Sequence, residues 1–281
     1  MARLPTVGAD DNAWGTVLNE YLETAHNTDG TLKLDVKTIA DLKAIDVTTL
    51  TDKQQALVAG YTTPGDGGGG IFYYDAAAST ADNGGTIFAP TVGAGRWMRN
   101  YSGAVNVRWF GAKGDGTSFS ANITSGSARL TAPSAAFASG DVGKTIIVLG
   151  GSGSLHLITT IATFVSPTEV DLAANAAVTG TRDAVVVRSD DLAAVQAAVN
   201  TALGVFLPSG VYYLSGELVP APNGVLRLVG AGARSTIIAR DGSASSKVMK
   251  HVTNGDRFVL GNCSPGWLQV AGVGSKVLLR S

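Results

Sequence analysis

Few residues in this chain have the type and spacing to do chemistry. Cleavage of a polysaccharide by two carboxylates needs them on one face, about 5–9.5 Å apart. Within residues 201–281 the acidic residues are Glu217, Asp241 and Asp256, and of these Glu217 and Asp241 are the candidates for a catalytic pair. Both stand in turn contexts: Glu217 in Ser215-Gly216-Glu217-Leu218, and Asp241 before Gly242. Asp256 adjoins Arg257 and reads as a solvated surface group, and His251 nearby has no third partner for acid–base work. Asp115 falls in a Gly-Asp-Gly turn. Asp190 and Asp191 precede an apolar helical run, where capping explains them. His26, His156 and His251 form no ligand-spaced cluster, so neither a metal nor a cofactor is expected. Cys263 is the only cysteine; it excludes an intrachain disulfide and reads as a small buried apolar residue. The loop Gly65-Asp66-Gly67-Gly68-Gly69-Gly70 runs into the aromatic strand Ile71-Phe72-Tyr73-Tyr74 and lacks a Gly-Lys-Ser/Thr ending. It is therefore a tight loop of a β domain, not a phosphate cradle.

The elements that must position these residues are mostly strands. The chain has 281 residues, 36 of them glycine, with only 15% charged, a mix that favours turns and short strands. With 21 basic and 22 acidic side chains and no Lys/Arg run, it offers no surface for nucleic acid or for an anionic membrane. No apolar stretch is long enough to span a bilayer, and Met1–Pro5 does not read as a signal peptide. Residues 10–26 read as an amphipathic helix capped by Asp10, Asp11 or Asn12, with Trp14, Val17, Leu18, Tyr21, Leu22 and Ala25 at helical spacing. That stripe either folds back on its own domain or packs against symmetry mates or another partner chain. A turn follows at Asn27-Thr28-Asp29-Gly30, and short helices are expected around Ile39–Ile45 and Asp52–Val58. Residues 59–103 read as a small glycine-rich β domain. Residues 118–185 read as a small antiparallel barrel or sandwich, with strands near 128–130, 145–149, 156–158, 160–162 and 169–172. Residues 190–201 read as a helix capped by Ser189 or Asp190, facing inward with Leu192, Val195 and Val199.

Several of these segments resemble known proteins. Leu4-Pro5, Asn12-Ala13-Trp14-Gly15, Leu18-Asn19-Glu20-Tyr21-Leu22 and His26 to Lys33 resemble the N-terminal segment of phage and prophage tail proteins. The run from Gly60-Tyr61 through Asp66-Gly67-Gly68-Gly69 to Gly95-Arg96-Trp97 resembles the particle-proximal domain of phage tailspikes. Val105 to Gly116, with Trp109-Phe110-Gly111-Ala112-Lys113-Gly114-Asp115-Gly116, resembles the opening of the pectate-lyase-like superfamily. Its acidic pair and short helix are matched by Ser189 to Val199, and its following strands by Val205 to Leu214 and by Gly230-Ala231-Gly232 with Thr236-Ile237-Ile238.

The resemblance implies a mainly β protein: the start of a right-handed parallel β-helix with an N-terminal helical anchor, a small β domain and an inserted antiparallel β module. The expected organisation is 1–58 for tail attachment, 59–103 for the small domain and 104–281 for a short β-helix interrupted at 118–185. The function it implies is a structural tail-spike or tail-fibre component of a phage or phage-like particle. Such a protein is a homotrimer in the virion that contacts other tail or baseplate proteins and supports recognition of host surface polysaccharide. Trp14, Val17, Leu18, Tyr21 and Leu22 would form the attachment or oligomer interface. The alternatives are a capsule- or lipopolysaccharide-degrading glycosidase or lyase using Glu217 and Asp241, and a glycan-binding receptor-recognition protein. In the family the catalytic groups sit on middle turns of the helix, which are scarcely present here, so the expectation leans away from an enzyme.

Overall fold

The computed structural model describes residues 13, 15–18, 35–153, 155–201, 204–219, 225–232, 235–239, 257–261, 264–265 and 276–280. Trp14, Tyr21, Leu22, the turn at 27–30, Asp241, His251, Asp256 and Cys263 lie outside the described residues. Within the helix expected at 10–26, residues 15–18 are a helical turn, and Val17 N–H donates to the Ala13 carbonyl at 2.9 Å. The chain divides into two compact units, Met1–Tyr101 and Ser102–Ser281.

In the first unit β1 (Asp35–Val36) leads into α1 (Ile39–Ala44). Thr38 and Asp41 close a capping box at the start of α1, each satisfying the other's backbone N–H. Ile39 and Leu42 form its buried face. Four strands follow: β2 (Gln55–Val58), β3 (Gly70–Asp75), β4 (Ile87–Phe88) and β5 (Arg96–Arg99), in the sheet order β1-β2-β3-β5-β4. Only β1 is parallel to its neighbour. A helix was the expectation for 52–58, yet 55–58 is a strand. Its residues alternate exposed and buried, with Ala56 and Val58 inward, and pair with β3 from Gln55↔Tyr73 to Val58↔Gly70. This pairing crosses the border expected after residue 58. The inner face stacks Phe72 on Phe88 and Tyr74 on Trp97, each pair with centroids 5.7 Å apart, against α1.

The second unit opens with β6 (Val105–Asn106) and a 3-10 turn at Val107–Phe110. The chain then leaves into β7 (Thr117–Ile123), β8 (Arg129–Thr131), β9 (Thr145–Ser152), β10 (Leu155–Ser166), β11 (Glu169–Leu172) and β12 (Gly180–Val186). These close into an antiparallel barrel in the order β10-β11-β8-β7-β12-β9, so no strand edge is left open. Its core includes Phe119, Leu130, Phe137, Ile146, Ile161 and Val170. One strand of 12 residues, β10, stands where two short ones were expected, because no turn residue separates them. It bends instead at two register shifts facing β11. The flanking β7 and β12 were not expected as strands. Thr117, Ser118, Ser120, Asn122, Thr181, Arg182 and Asp183 interrupt their apolar residues, and pairing from Thr117↔Val186 to Ile123↔Gly180 makes them strands.

After the barrel comes α2 (Leu192–Thr201), which buries Val195, Ala198 and Val199 with Leu192 partly covered. Then follow β13 (Gly204–Leu207), β14 (Gly210–Tyr213), β15 (Val225–Gly230), β16 (Thr236–Ala239), β17 (Arg257–Gly261), β18 (Ser264–Pro265) and β19 (Lys276–Arg280). They form two parallel sheets. One has the order β19-β17-β15-β13-β6; the other is β14-β16-β18. Register runs Val105, Val205, Leu228, Leu260, Leu279 across the first sheet. The protein is thus mainly β, as expected.

Candidate functional site

A cluster of charged groups lies where the chain leaves for the barrel and returns. The departing turn is Lys113 to Gly116; the returning segment is Arg188 to Asp191. Both run beside β14, through parallel bridges Asp115↔Val211 and Asp190↔Tyr213. Two glycines permit this approach. Gly114 has φ +57°, and a Cβ there would lie 2.6 Å from the Tyr212 ring; a Cβ on Gly116 would lie 2.9 Å from the Val211 side chain and carbonyl.

Two carboxylates, Asp191 and Asp115, tie the two segments together, and a third, Asp190, ties the returning one to Ser215. Asp191, only 2% exposed, accepts N–H bonds from Lys113 at 2.6 Å and Gly114 at 3.1 Å. Burial pushes its carboxyl up to about 6, the Asp115 and Asp190 charges add to this, and the two N–H donors oppose it. Asp190 accepts from Leu192 N–H at the start of α2, and from the Ser215 N–H and hydroxyl. Burial raises this carboxyl, but these bonds outweigh it and hold it below the usual range. Asp115 Oδ2 accepts from the Ser189 hydroxyl at 2.8 Å, while its Oδ1 is buried with no hydrogen-bond partner among the described residues. The capping explanation therefore fits Asp190, whereas Asp191 spends its side chain on the turn at 113–114.

Sequence reasoning missed the strongest contact of the joint. Arg188 Nε and Nη2 each donate to Asp141, both at 3.1 Å, and its Nη1 donates to the Thr117 hydroxyl and the Asp115 carbonyl. Asp141 is 2% exposed and also accepts from Ala138 N–H. Burial raises its carboxyl, but the Arg188 fork and the Ala138 N–H outweigh that and hold it below the usual range. The partners are 47 positions apart, and no local pattern signals the pairing.

Glu217 sits half-buried in a turn clamped on α2. Gln196 brackets that turn, accepting from Val219 N–H and donating to its carbonyl, each at 2.8 Å. Its proposed partner, Asp241, lies outside the described residues. Among the described interface candidates, Leu18 is exposed and Val17 half-exposed. No group of three or more His, Cys, Asp or Glu among the described residues could hold a metal ion, and no described helix is long and apolar enough to cross a membrane.

In the first unit, the groups that might have received a phosphate are already occupied. Asp66 accepts N–H bonds from Tyr61, Thr62, Thr63 and Gly68, filling its own glycine-rich loop. The buried Arg99 donates to the carbonyls of Gly68, Gly69 and Gly85 and lies over the Phe72 ring at 4.4 Å. Burial lowers its guanidinium to about 10. These contacts lock the loop onto the sheet.

A small sheet domain built in this way, followed by parallel strands with a barrel inserted among them, defines a mainly β protein of modular construction. Residues 35–102 match the phage tail protein small four-stranded beta-sheet domain. That match spans β2, β3, β4 and β5, with β1 added at the edge. No curated protein matches the chain. Among solved structures it is similar to tailspike protein 2 of Escherichia coli O157:H7 bacteriophage CAB120, with 16% identity, TM-score 0.45, and coverage of 96% of this chain and 26% of that one. It is also similar to the tailspike protein of Acinetobacter baumannii phage AM24, with 15% identity, TM-score 0.43, and coverage of 86% and 33%. A third is Pantoea stewartii WceF, described as a glycan biofilm modifying enzyme with a tailspike-like parallel beta-helix fold, with 14% identity, TM-score 0.46, and coverage of 85% and 27%. The chain thus spans between about a quarter and a third of these structures' length.

Proposed function

We propose that the chain is the front part of a tail spike or tail fibre of a phage or phage-like particle, attached to the tail through its N-terminal region. The match of residues 35–102 to a phage tail sheet domain carries this reading. Its continuation is a right-handed parallel β-helix. Supporting that is the strand order: β13, β15, β17 and β19 pair in succession in one parallel sheet, while the intervening β14, β16 and β18 pair in another. A chain that alternates between two parallel sheets in this manner climbs one rung per circuit.

The attachment surface is the stripe Trp14, Val17, Leu18, Tyr21 and Leu22, and the assembled form is a homotrimer in contact with other tail or baseplate proteins. Replacing Trp14, Leu18 and Tyr21 by Asp is expected to abolish incorporation into particles while leaving the second unit folded. Normal incorporation of that variant would sink the attachment role. Glycan binding by the barrel has little support, since residues 117–186 contain neither Trp nor Tyr, the side chains best suited to stack on sugar rings. The depolymerase alternative is separated by incubating host capsule with the chain and with a Glu217→Gln/Asp241→Asn variant. Oligosaccharide release by the first and not the second would install the enzyme reading.

A further inference from the structure

The outer side of the barrel and the outer side of the β14-β16-β18 sheet meet in a small apolar cluster that neither core needs. Along β14, Tyr212 points into the core shared with α2 and β13, so Val211 and Tyr213 point outward. Along β16, Ile238 is inward, and Ile237 and Ala239 outward. These stretches of β14 and β16 are therefore apolar on both faces, the pattern of strands covered on both sides. Val185 of β12 supplies the cover. It is 6% exposed, belongs to no barrel core, and packs with Val211, Ala239, Tyr213 and Ile237. By register Val185 lies beside Ile147 of β9, and Ile147 beside Ile158 of β10, so the three share the outer face of the barrel. Exposure along this row is 6%, 2% and 39%. The apolar row thus starts under the contact and ends in solvent. The Arg188–Asp141 fork and the bonds of Gly116 N–H to the Val211 carbonyl and Val211 N–H to the Gly114 carbonyl, each 3.1 Å, hold the root of the barrel against β14.

We propose that the inserted barrel is a built-in cover: seated on Val211, Tyr213, Ile237 and Ala239, it keeps that sheet face from pairing with the same face of a second copy. Val211, Tyr213, Ile237 and Ala239 are themselves uncharged, with Asp115 and Asp190 in bridge register at the β14 edge, so the best occupant of that patch other than the barrel is an equally uncharged apolar surface, and the identical patch of another chain supplies one. This arrangement is independent of the attachment role proposed above. It gives the barrel a task that needs no ligand: subunit contacts are directed away from this sheet.

The test uses the full chain. Val185→Asp places a carboxylate in the contact, and the variant is expected to show at least twice the wild-type mass by light scattering, increasing with concentration. Adding Val211→Ser and Ile237→Ser removes the uncovered face and is expected to restore the wild-type mass. Hydrogen exchange at β9 and β12 reports whether the barrel stays folded. If Val185→Asp loses that protection, Val185→Ala decides, since it empties the contact without inserting a charge and should show the same association to a smaller degree. Wild-type mass in the deciding variant, or association that persists after the two serine substitutions in a folded barrel, overturns the proposal.

Discussion

Asp191 and Asp141 anchor the same joint with opposite responses to pH. A carboxyl whose folded pKa lies above its unfolded value stabilises fully below the unfolded value, and that stability is lost as pH rises through the folded value. Asp191 moves from 3.8 to about 6, so its contribution falls between those values and is gone above them. Over pH 5 to pH 7 the loss should be on the order of 1 kcal/mol. Chemical denaturation at the two pH values should show it, and Asp191→Asn should flatten that difference even though Asn satisfies only one of the two N–H donors. Asp141 is depressed, so its stabilisation is present above its unfolded value and lost as pH falls through the folded one. Arg99 makes a second residue-level case. Arg99→Met strands the carbonyls of Gly68, Gly69 and Gly85, two of these bonds being fully buried. The expected cost is on the order of 2–4 kcal/mol of stability in the first unit, read by denaturant unfolding.

At the scale of elements, the two connections between barrel and parallel strands are short and tightly set. Gly114 combines a left-handed backbone with contact against the Tyr212 ring. Gly114→Ala must bear both the conformational cost and the clash, together on the order of 2 kcal/mol or more. Its signature should be reduced hydrogen-exchange protection in α2 and β14 while the barrel strands stay protected, because the barrel has its own core and closes on itself. Equal loss of protection across both would show that they unfold as one. The helix α2 works as a lid on its end of the parallel strands, and its buried Val195, Ala198 and Val199 lie against Val105, Val107 and Phe110.

For the molecule as a whole, the proposed homotrimer sets the expected mass. Three chains per particle is the expected result of light scattering at micromolar concentration. A single chain mass under those conditions, together with one copy per site in the native particle, would count against the trimer. The trimer and the cover function of the barrel make separate demands: the first sets the wild-type mass, and the second sets what happens to that mass when Val185 is changed.

Local pattern alone determined α1, α2 and the tight loop at 65–70. The Thr38–Asp41 capping box, the spacing of Ile39 and Leu42, and that of Val195 and Val199 are written within a few residues of one another, and helices and turns form from neighbours. Within the module expected at 118–185, turn residues marked β8, β9 and β11 for the same reason, while β7 and β12 went unmarked and β10 was read as two strands. Tertiary structure decided what depends on distant partners. The run 55–58 is a strand because β3 pairs with it; β7 and β12 are strands because they pair with each other; the barrel closes because its last-placed strands meet. Asp191 turns from a helix cap into a tie for residues 113–114, and Arg188 finds Asp141 across 47 positions. A strand makes its backbone hydrogen bonds only with other segments, and a buried ion pair needs a partner of opposite charge wherever the chain brings one. Neither requirement leaves a mark on the local sequence.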